Sequence, residues 1–302
     1  MPDGSRPTGV FVGLATLDVI HRVDEQPGAN QKVTARDQHV AAGGPAANAA
    51  VTFAGLGGHA VLVTALGDSA LADLIRADLR TSGVTVVDAA SGQDLPTPVS
   101  AVTVMIGTGD RSVVSMDATA VVVEPPPELG DVVGGADVVL IDGHHPRLAV
   151  AAAKAAASAR TEVVVDAGRW KPVMADLVPL ADAMVCSNDF RLPGLDDSRS
   201  TARALVDAGV TTVVTTHGDR PVLWWHGGGS GSVPVPRISA VDTLGAGDVF
   251  HGAYCYFSCT AGADTPAVLA AAARVAALRC SVVGPRDWLE QLATATYLEI
   301  DK

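Results

Sequence analysis

The sequence predicts an α/β fold built on a doubly wound, mostly parallel sheet with helices on both faces. Short β-branched apolar runs alternate with Ala-rich helical stretches along the chain. The apolar runs lack polar alternation, which is typical of parallel strands that are buried on both faces. The length of 302 residues exceeds that of most single domains, but one α/β domain can reach it. We therefore expect a single domain over residues 1–302.

The elements follow from these patterns in chain order. "GVFVGLATL" predicts a buried strand at 9–17, and "AANAAVTFAGLG" predicts a helix at 46–57 that its last glycines end. "SALADLIRADLRTSG" predicts an amphipathic helix at 69–83, with Gly83 past its end. The remaining core elements show the same signals. We expect further strands at 60–67, 136–143, 161–168 and 210–218, and further helices at 146–159 and 200–209.

Two segments, 23–44 and 95–123, depart from this alternation. Both are interrupted by Pro and Gly and alternate polar with apolar residues, which is typical of strands with one solvated face. We expect them to form a small antiparallel β lid inserted in the main domain, with lid segments at about 18–42 and 96–122. Exposed sheet edges commonly pair with a second copy, so the lid predicts a homodimer. The stretch "HGGGSGS" at 226–232 predicts a flexible surface turn.

Composition excludes several classes of partner. The formal net charge is −12 and no run of Lys or Arg occurs, so no nucleic-acid partner is expected. The polar N-terminus lacks the apolar core of a signal peptide, and no apolar run is long enough for a membrane span. The four cysteines form no CxxC pair, and free thiols fit a reducing compartment. We expect a cytoplasmic protein with no membrane partner.

The stretch "SAVDTLGAGDVFHGA" at 239–253 carries the chemistry. Gly245 and Gly247 lie between Asp242 and Asp248, directly before an apolar helical segment. Glycines before a helix let several backbone N–H groups converge on one anion. A carboxylate beside such a site suits phosphoryl transfer, because it can accept the proton of the attacking hydroxyl. The alternative for Asp248 is an ordinary carboxylate in the first turn of a helix, but this leaves the glycines unexplained.

The segment "DTLGAGDVFHGA" resembles the C-terminal signature of the ribokinase-like (PfkB) family of carbohydrate kinases. The resemblance continues in "VGLATLDVIHRVD" (12–24) and in "AAGGPAANAAVTFAGLG" (41–57). "ARVAALRCSVVG" (273–284) is similar to the adenine-side helix of ketohexokinase-like and sulfofructose-kinase-like members. The resemblance implies a ribokinase-like fold and an ATP-dependent kinase that phosphorylates a hydroxyl of a ketose or furanose. It also implies Mg²⁺, which the nucleotide brings.

The resemblance carries over to individual residues. Asp248 matches the catalytic base, and the anion hole matches Gly245, Ala246 and Gly247. The sugar-binding positions match Asp18, Gly43, Gly44 and Asn48. The nucleotide-binding positions match Thr216, Gly218, Thr243, Ala273, Ala277 and Cys280. Asp242 borders a monovalent-cation site in some members, which would make K⁺ a possible cofactor, or it only orders the loop.

The sequence departs from the family pattern in three places. Many members carry an Asn-x-x-Glu motif that organises Mg²⁺, whereas Asn188 is followed by Arg191. Pro45 stands where ketohexokinases have a sugar-contacting Asn. Basic side chains follow two of the predicted strands and would bind an anionic group on the substrate. The alternative is that they belong to solvated loops and have no role in binding. These residues are His144, His145, Arg169 and Lys171.

Two other functions compete with a sugar kinase. A nucleoside kinase of the same fold needs an aromatic base pocket, and the lid segments contain no Trp, Tyr or Phe. A non-catalytic sugar or nucleotide sensor would be expected to lack Asp248 or the glycines before it, and both are present. The sequence therefore favours the sugar kinase.

Overall fold

The computed structural model describes residues 6–259 and 264–294. Strands and helices alternate over most of this length. The strands are β1 (Thr8–Val12), β2 (Thr16–Val23), β3 (Asp37–Gly43), β4 (His59–Thr64), β5 (Val84–Asp88), β6 (Val99–Met105), β7 (Arg111–Ser115), β8 (Val138–Ile141), β9 (Glu162–Ala167), β10 (Ala183–Cys186), β11 (Thr212–His217), β12 (Arg220–His226) and β13 (Gly229–Val233). The helices are α1 (Pro45–Gly55), α2 (Ala70–Thr81), α3 (Leu129–Gly134), α4 (Pro146–Ala159), α5 (Met174–Leu177), α6 (Ser198–Asp207), α7 (Ala246–Ser258), α8 (Thr265–Ser281) and α9 (Trp288–Thr294).

The main sheet has nine strands in the order β13-β12-β11-β10-β9-β8-β1-β4-β5. The seven strands from β11 to β5 are all parallel, and β12 and β13 add an antiparallel hairpin at one edge. Alternate residues of β1 enter different cores: Phe11 packs with α1, α7 and α8, whereas Val10 and Val12 pack with α3, α4 and α6. Helices therefore cover both faces, and the predicted fold class is confirmed.

The continuous strand predicted at 9–17 is wrong, because the chain bends at residues 13–15. Residues 8–12 lie in the main sheet and residues 16–23 lie in a second sheet. Gly13 makes the bend possible: a Cβ there would lie 2.1 Å from the Asp142 carboxylate. That carboxylate accepts a hydrogen bond from Leu14 N at 2.8 Å. An unbroken apolar run contains no signal for such a bend, since both halves are buried.

The second sheet has four strands in the order β3-β2-β6-β7. Of its strands, β3, β6 and β7 come from the two alternating segments 23–44 and 95–123, whereas β2 comes from the chain before them. Its outer pairs are antiparallel, as expected, but the central β2–β6 pair is parallel. A parallel pair needs a long crossover, and β3, α1, β4, α2 and β5 all lie between β2 and β6.

The flexible turn predicted at 226–232 is also corrected by the structure. Only Gly227 and Gly228 form the turn, both with positive φ, as expected for a two-residue hairpin loop. Residues 229–233 form β13, and the indole of Trp224 lies so close to Gly231 that a Cβ there would be 2.8 Å away. Glycine at 231 therefore makes room for an aromatic ring in a strand.

No helix within residues 6–259 and 264–294 is long and apolar enough to cross a membrane. The four cysteines are free, and Cys186 and Cys255 are buried. Burial raises the pKa of both thiols, which keeps them protonated and unreactive.

Candidate active site

The glycine-rich segment forms the start of α7, as the sequence predicts. Gly245 is the N-cap residue with φ 71°, a left-handed conformation that favours glycine. Gly247 is exposed in the first turn, and a Cβ there would meet nothing within 4 Å. The backbone conformation and the packing at 247 would both allow a larger residue. A glycine at this position keeps open the space beside the first-turn N–H groups. Those groups lack acceptors within the helix and suit an anion, although Ala246 N donates to Thr243 O at 3.4 Å.

Asp248 lies in the same turn, next to this space. Its Oδ2 accepts a hydrogen bond from Asn48 Nδ2 at 2.9 Å. Burial, and then the nearby Asp166 carboxylate, raise the pKa of Asp248 to about 6, although Asn48 and His251 act to lower it. A carboxylate with a pKa near neutrality is suited to accept a proton at physiological pH.

The Asp248 carboxylate is half-buried and forms a group with two buried side chains. Asp166, Asp248 and His251 each offer an oxygen or nitrogen atom, and these atoms lie within 4.8 Å of one another. His251 Nδ1 lies 3.1 Å from Asp166 Oδ2. Burial alone would lower the pKa of His251, but the two aspartates raise it. The raised pKa favours the protonated ring, whose charge would offset part of the negative charge of the two aspartates.

Sequence analysis missed Asp166 and His251, the two ionisable neighbours of Asp248. His251 is one helical turn after Asp248, and this i, i+3 spacing was the available signal. Asp166 lies at the carboxyl end of β9, which is the end of a parallel strand where ligands bind.

Asp18 lies on β2, inside the second sheet, and not after a core strand as the sequence suggested. Its Oδ1 accepts a hydrogen bond from Thr16 Oγ1 at 2.6 Å. Burial raises the pKa of Asp18, while the hydroxyls of Thr16 and Ser100 act to lower it. Gly43 faces this carboxylate across the β2–β3 pair, where a Cβ would lie 2.0 Å from Asp18 Oδ2.

Close packing of α1 on α7 brings Asn48 to Asp248. Gly44 caps α1 with φ 96°, and a Cβ there would lie 2.4 Å from Leu14 O. Gly252 of α7 packs against α1 so tightly that a Cβ would lie 2.3 Å from Ala49 O. Gly252 therefore lets the helices approach, so that an amide on α1 reaches a carboxylate on α7, and Gly44 lets the start of α1 pass close to Leu14.

A small cavity of about 20 Å³ lies between the second sheet and the α1–α7 pair. Asp18, Asn48 and Gly245 all line it, so the structure brings these predicted residues together. It also adds Arg286 and Trp288, which follow α8 and which sequence analysis missed. Space of this size admits about one water molecule.

The predicted nucleotide-side residues lie at three places: the end of β11, the loop before α7, and α8. Thr216 is near the end of strand β11, and Gly218 follows with φ 66°, where a Cβ would meet nothing within 4 Å. Thr243 donates from Oγ1 to Gly109 O at 2.8 Å, in the β6–β7 turn. The α8 positions are more enclosed. Ala273 and Ala277 are buried, and Cys280 O accepts hydrogen bonds from the backbone N–H groups of residues 241 and 242.

Asp242, the predicted cation position, is buried and already faces a cation. Arg279 Nη2 lies 3.1 Å from Asp242 Oδ2, and both side chains are 3% exposed. The other carboxylate oxygen, Oδ1, accepts a hydrogen bond from Leu244 N at 3.0 Å. The Asp242 carboxylate therefore joins α8 to the loop before α7.

The predicted anion-reading cluster does not present free positive charge. His145 is 2% exposed, and burial lowers its pKa to about 4, so its ring is neutral at pH 7. Arg169 forms an ion pair with Asp117 at the surface. Lys171 Nζ is buried and donates to Asp142 O at 2.8 Å, and His144 Nδ1 lies 3.2 Å from Asp142 Oδ1. The solvated-loop alternative is wrong for both histidines and for Lys171, because all three are buried.

The position of the missing Asn-x-x-Glu motif is also occupied by a cation. Arg191 Nη1 donates to Asn188 O at 2.6 Å, and Asn188 Nδ2 lies 3.3 Å from Asp189 Oδ1. A guanidinium next to Asn188 does not suit a divalent cation held by the protein. These residues therefore do not fit a protein-ligated Mg²⁺ at this point.

A larger cleft of about 970 Å³ lies elsewhere, between α4 and the chain around Glu124. Its lining includes Arg147, Lys154 and Lys171 but neither Asp18 nor Asp248. Its size alone does not connect it to the acid–base chemistry described above.

Comparison with known proteins finds carbohydrate kinases both by sequence and by fold. A family described as pfkB family carbohydrate kinase matches residues 8–292. The chain is 29% identical over 297 residues to the ATP-dependent ribose-1-phosphate kinase of Halopiger xanaduensis, covering 95% of this chain and 96% of that protein. It is 26% identical over 295 residues to the deoxyribokinase of Salmonella typhi, covering 90% and 92%. In fold it is similar to Arabidopsis thaliana ribokinase complexed with ribose and ATP, with a TM-score of 0.76, 22% identity and coverage of 97% and 100%.

Proposed function

Because the chain belongs to the pfkB family of carbohydrate kinases, and is therefore a phosphotransferase with an alcohol acceptor, we propose that it transfers the γ-phosphate of ATP to a hydroxyl of a furanose or ketose, with Asp248 as general base. The observation that carries this proposal is the position of Asp248. It lies in the first turn of α7, beside the space at Gly247, and its pKa is raised to about 6.

In this mechanism Asp248 accepts the proton of the attacking sugar hydroxyl. Asn48 orients the carboxylate by donating to Oδ2, which leaves Oδ1 for the substrate. The negative charge on the transferring phosphoryl group is stabilised by the N–H groups of residues 245–247 at the positive end of α7. Base and anion hole lie on one helix turn, so their relative position is fixed by helix geometry.

Sugar recognition is assigned to the small cavity between the second sheet and α1. Asp18 accepts hydrogen bonds from sugar hydroxyls, and Asn48 both donates and accepts. Gly43 makes room for the Asp18 carboxylate, and Gly44 lets the chain enter α1 close to Leu14 O. The proposal omits His145, which is neutral and enclosed, and Arg169, which is paired with Asp117. The relatives named as deoxyribokinase and ribose-1-phosphate kinase act on five-carbon sugars, which supports a furanose substrate.

ATP is assigned to the side of the anion hole where β11 ends. Thr216 and Gly218 border the phosphates, Thr243 lies beside the anion hole, and α8 with Ala273, Ala277 and Cys280 backs the adenine. Asn188 with Arg191 beside it does not suit Mg²⁺, so the ion would have to enter with the nucleotide. The bound ion would neutralise charge on the phosphates during transfer.

A homodimer through the second sheet completes the proposal. Val40, Val19, Ala101 and Val114 pair in register across all four strands and so lie on one face; we call them the outer row. Val40 is 50% exposed and Val114 is 77% exposed. Within residues 6–259 and 264–294, β3 and β7 are the edge strands of this sheet, and its exposed apolar row is a surface that a second copy would cover.

The test is Asp248→Asn, assayed with ribose, deoxyribose, ribose 1-phosphate and fructose. Asn caps a helix about as well as Asp and carries no charge into a buried site, so the melting temperature should not fall. Turnover should fall by about 10²–10⁴-fold, the usual contribution of a positioned base. Asp189→Asn, at an exposed residue outside the Asp248 group, is the matched control and should keep its turnover. Wild-type turnover in Asp248→Asn would remove Asp248 from the mechanism.

A further inference from the structure

A buried positive charge, the guanidinium of Arg279, lies close to the proposed anion hole. Some members of this family have a monovalent-cation site at the position of Asp242, and such sites are built from oxygen atoms. Here three oxygen atoms converge next to α8: Asp242 Oδ2, Asp242 O and Val282 O. They lie 3.1 Å, 3.5 Å and 3.2 Å from terminal nitrogens of Arg279. These oxygen atoms, which are of the kind that a monovalent cation binds, therefore already face a guanidinium.

The residues do not fit an additional cation. The Asp242 and Arg279 side chains are each 3% exposed, so a second positive charge here would lie against the first with little water between them. A guanidinium keeps its charge at every physiological pH and cannot dissociate from the protein, unlike a bound ion. We propose that the guanidinium of Arg279 takes the place of the monovalent cation, so that this kinase works without K⁺.

The position of Asp242 gives the substitution a mechanical consequence. Its Oδ1 accepts from Leu244 N at 3.0 Å, directly before Gly245, while its Oδ2 faces Arg279. The backbone N–H groups of Val241 and Asp242 donate to Cys280 O, at 2.9 Å and 3.3 Å. Arg279 thus holds the loop that leads into α7. We treat it as a positioning residue, because it acts on the anion hole through Asp242, although it also lines the small cavity assigned to the sugar.

This inference rests on the proposed anion hole at 245–247, but it can be tested apart from it. The first experiment measures phosphorylation and melting temperature of the wild type while choline chloride is replaced by KCl at constant ionic strength. Both should stay unchanged. Activation by K⁺, or a rise in melting temperature that choline and Na⁺ do not produce, would overturn the inference. The melting measurement needs no turnover, so it remains decisive even if the proposed function fails.

The second experiment uses Arg279→Gln, which removes the charge, and Arg279→Lys, which keeps it as the matched control. In choline, Arg279→Gln should lose about 10²-fold in kcat, the cost of misplacing reacting groups by about 1 Å. KCl should restore part of this loss and raise the melting temperature of Arg279→Gln, because K⁺ can then enter the vacated oxygens. Arg279→Lys should remain insensitive to K⁺. Full activity of Arg279→Gln in choline would overturn the positioning role. If that variant does not fold, the wild-type measurements in choline and KCl, together with those on Arg279→Lys, decide whether Arg279 replaces the cation.

Discussion

Asp248 is held between an amide that stabilises its charge and a carboxylate that opposes it. Asn48 donates to its Oδ2 at 2.9 Å, whereas burial and the neighbouring Asp166 raise its pKa to about 6. The raised pKa makes Asp248 a stronger base than an exposed aspartate, while it remains ionised at neutral pH. A proton acceptor needs this combination of basicity and ionisation.

The first prediction at this scale is an acid limb in the pH profile. Only ionised Asp248 can accept a proton, and its pKa lies at about 6 instead of the ordinary 3.8. We expect kcat/KM to be constant above this pKa and to fall as pH drops through about 6. The measurement is kcat/KM against pH, with coupling enzymes in excess. A profile that stays flat down to the ordinary pKa of aspartate would contradict the assignment.

The second prediction concerns His251, whose ring lies next to both aspartates. Its positive charge acts to lower the pKa of Asp248, so His251→Asn should raise that pKa. The acid limb should therefore move to higher pH, a change that lost packing alone would not cause. His59→Asn, at an exposed histidine on β4, is the control and should leave the limb in place. An unshifted limb in His251→Asn would show that the ring is neutral or does not act on Asp248.

Among the secondary-structure elements, the second sheet bears most directly on function. Its inner face carries Asp18 on β2, and also Ile20, Val102 and Val104, which pack with Leu244 of the loop before α7. Its β6–β7 turn contacts Thr243 through Gly109 O. The sheet therefore covers the start of α7. The cavity beneath it, about 20 Å³, is smaller than a sugar, so sugar binding needs a rearrangement of its lining, for which outward movement of this sheet is our hypothesis.

The third prediction is that segments 23–42 and 96–122 act as a lid that closes over the sugar. Lys32 and Arg36 lie in the exposed β2–β3 loop and offer trypsin sites. Sugar with a non-hydrolysable ATP analogue should slow cleavage there, because a closed lid opens less often. Cleavage at Arg199, exposed on α6, should not change. Equal cleavage of Lys32 and Arg36 with and without ligands would contradict lid closure.

At the scale of the whole molecule, the main sheet is covered on both faces and the second sheet is not. The outer row of Val19, Val40, Ala101 and Val114 faces away from Asp18, since neighbouring residues on a strand point to opposite faces. The active-site cover and the proposed dimer surface are therefore two sides of one sheet. A dimer formed there would limit how far the lid can move.

The fourth prediction tests this surface. Val114→Asp places a charge on the most exposed residue of the outer row and should convert a dimer into a monomer, because a buried unpaired charge is strongly unfavourable. Size-exclusion chromatography with light scattering measures the mass. Val206→Asp, at an exposed valine on α6, should leave the mass unchanged. A monomeric wild type, or a dimeric Val114→Asp, would contradict a dimer through this row.

The sequence by itself determined the elements whose signal is local. Apolar runs and helical spacing predicted several core strands and helices to within a few residues, because burial on both faces leaves a continuous apolar pattern. They did not predict β5 or β10, and they joined β1 to the start of β2. The glycines and the carboxylate of 245–248 likewise predicted a helix start suited to an anion. These features depend on residues that are near one another in the chain.

Only the tertiary structure decided which distant residues meet. The bend at Gly13, which sends β2 into the second sheet, depends on Asp142, more than a hundred residues away. The ion pair of Arg279 with Asp242 and the approach of His251 to Asp166 are also contacts between separate elements. Sequence spacing contains no signal for such pairs, because their distances are set by how helices and strands pack. The charge state of a buried side chain depends on those distances, so it too was decided by the fold.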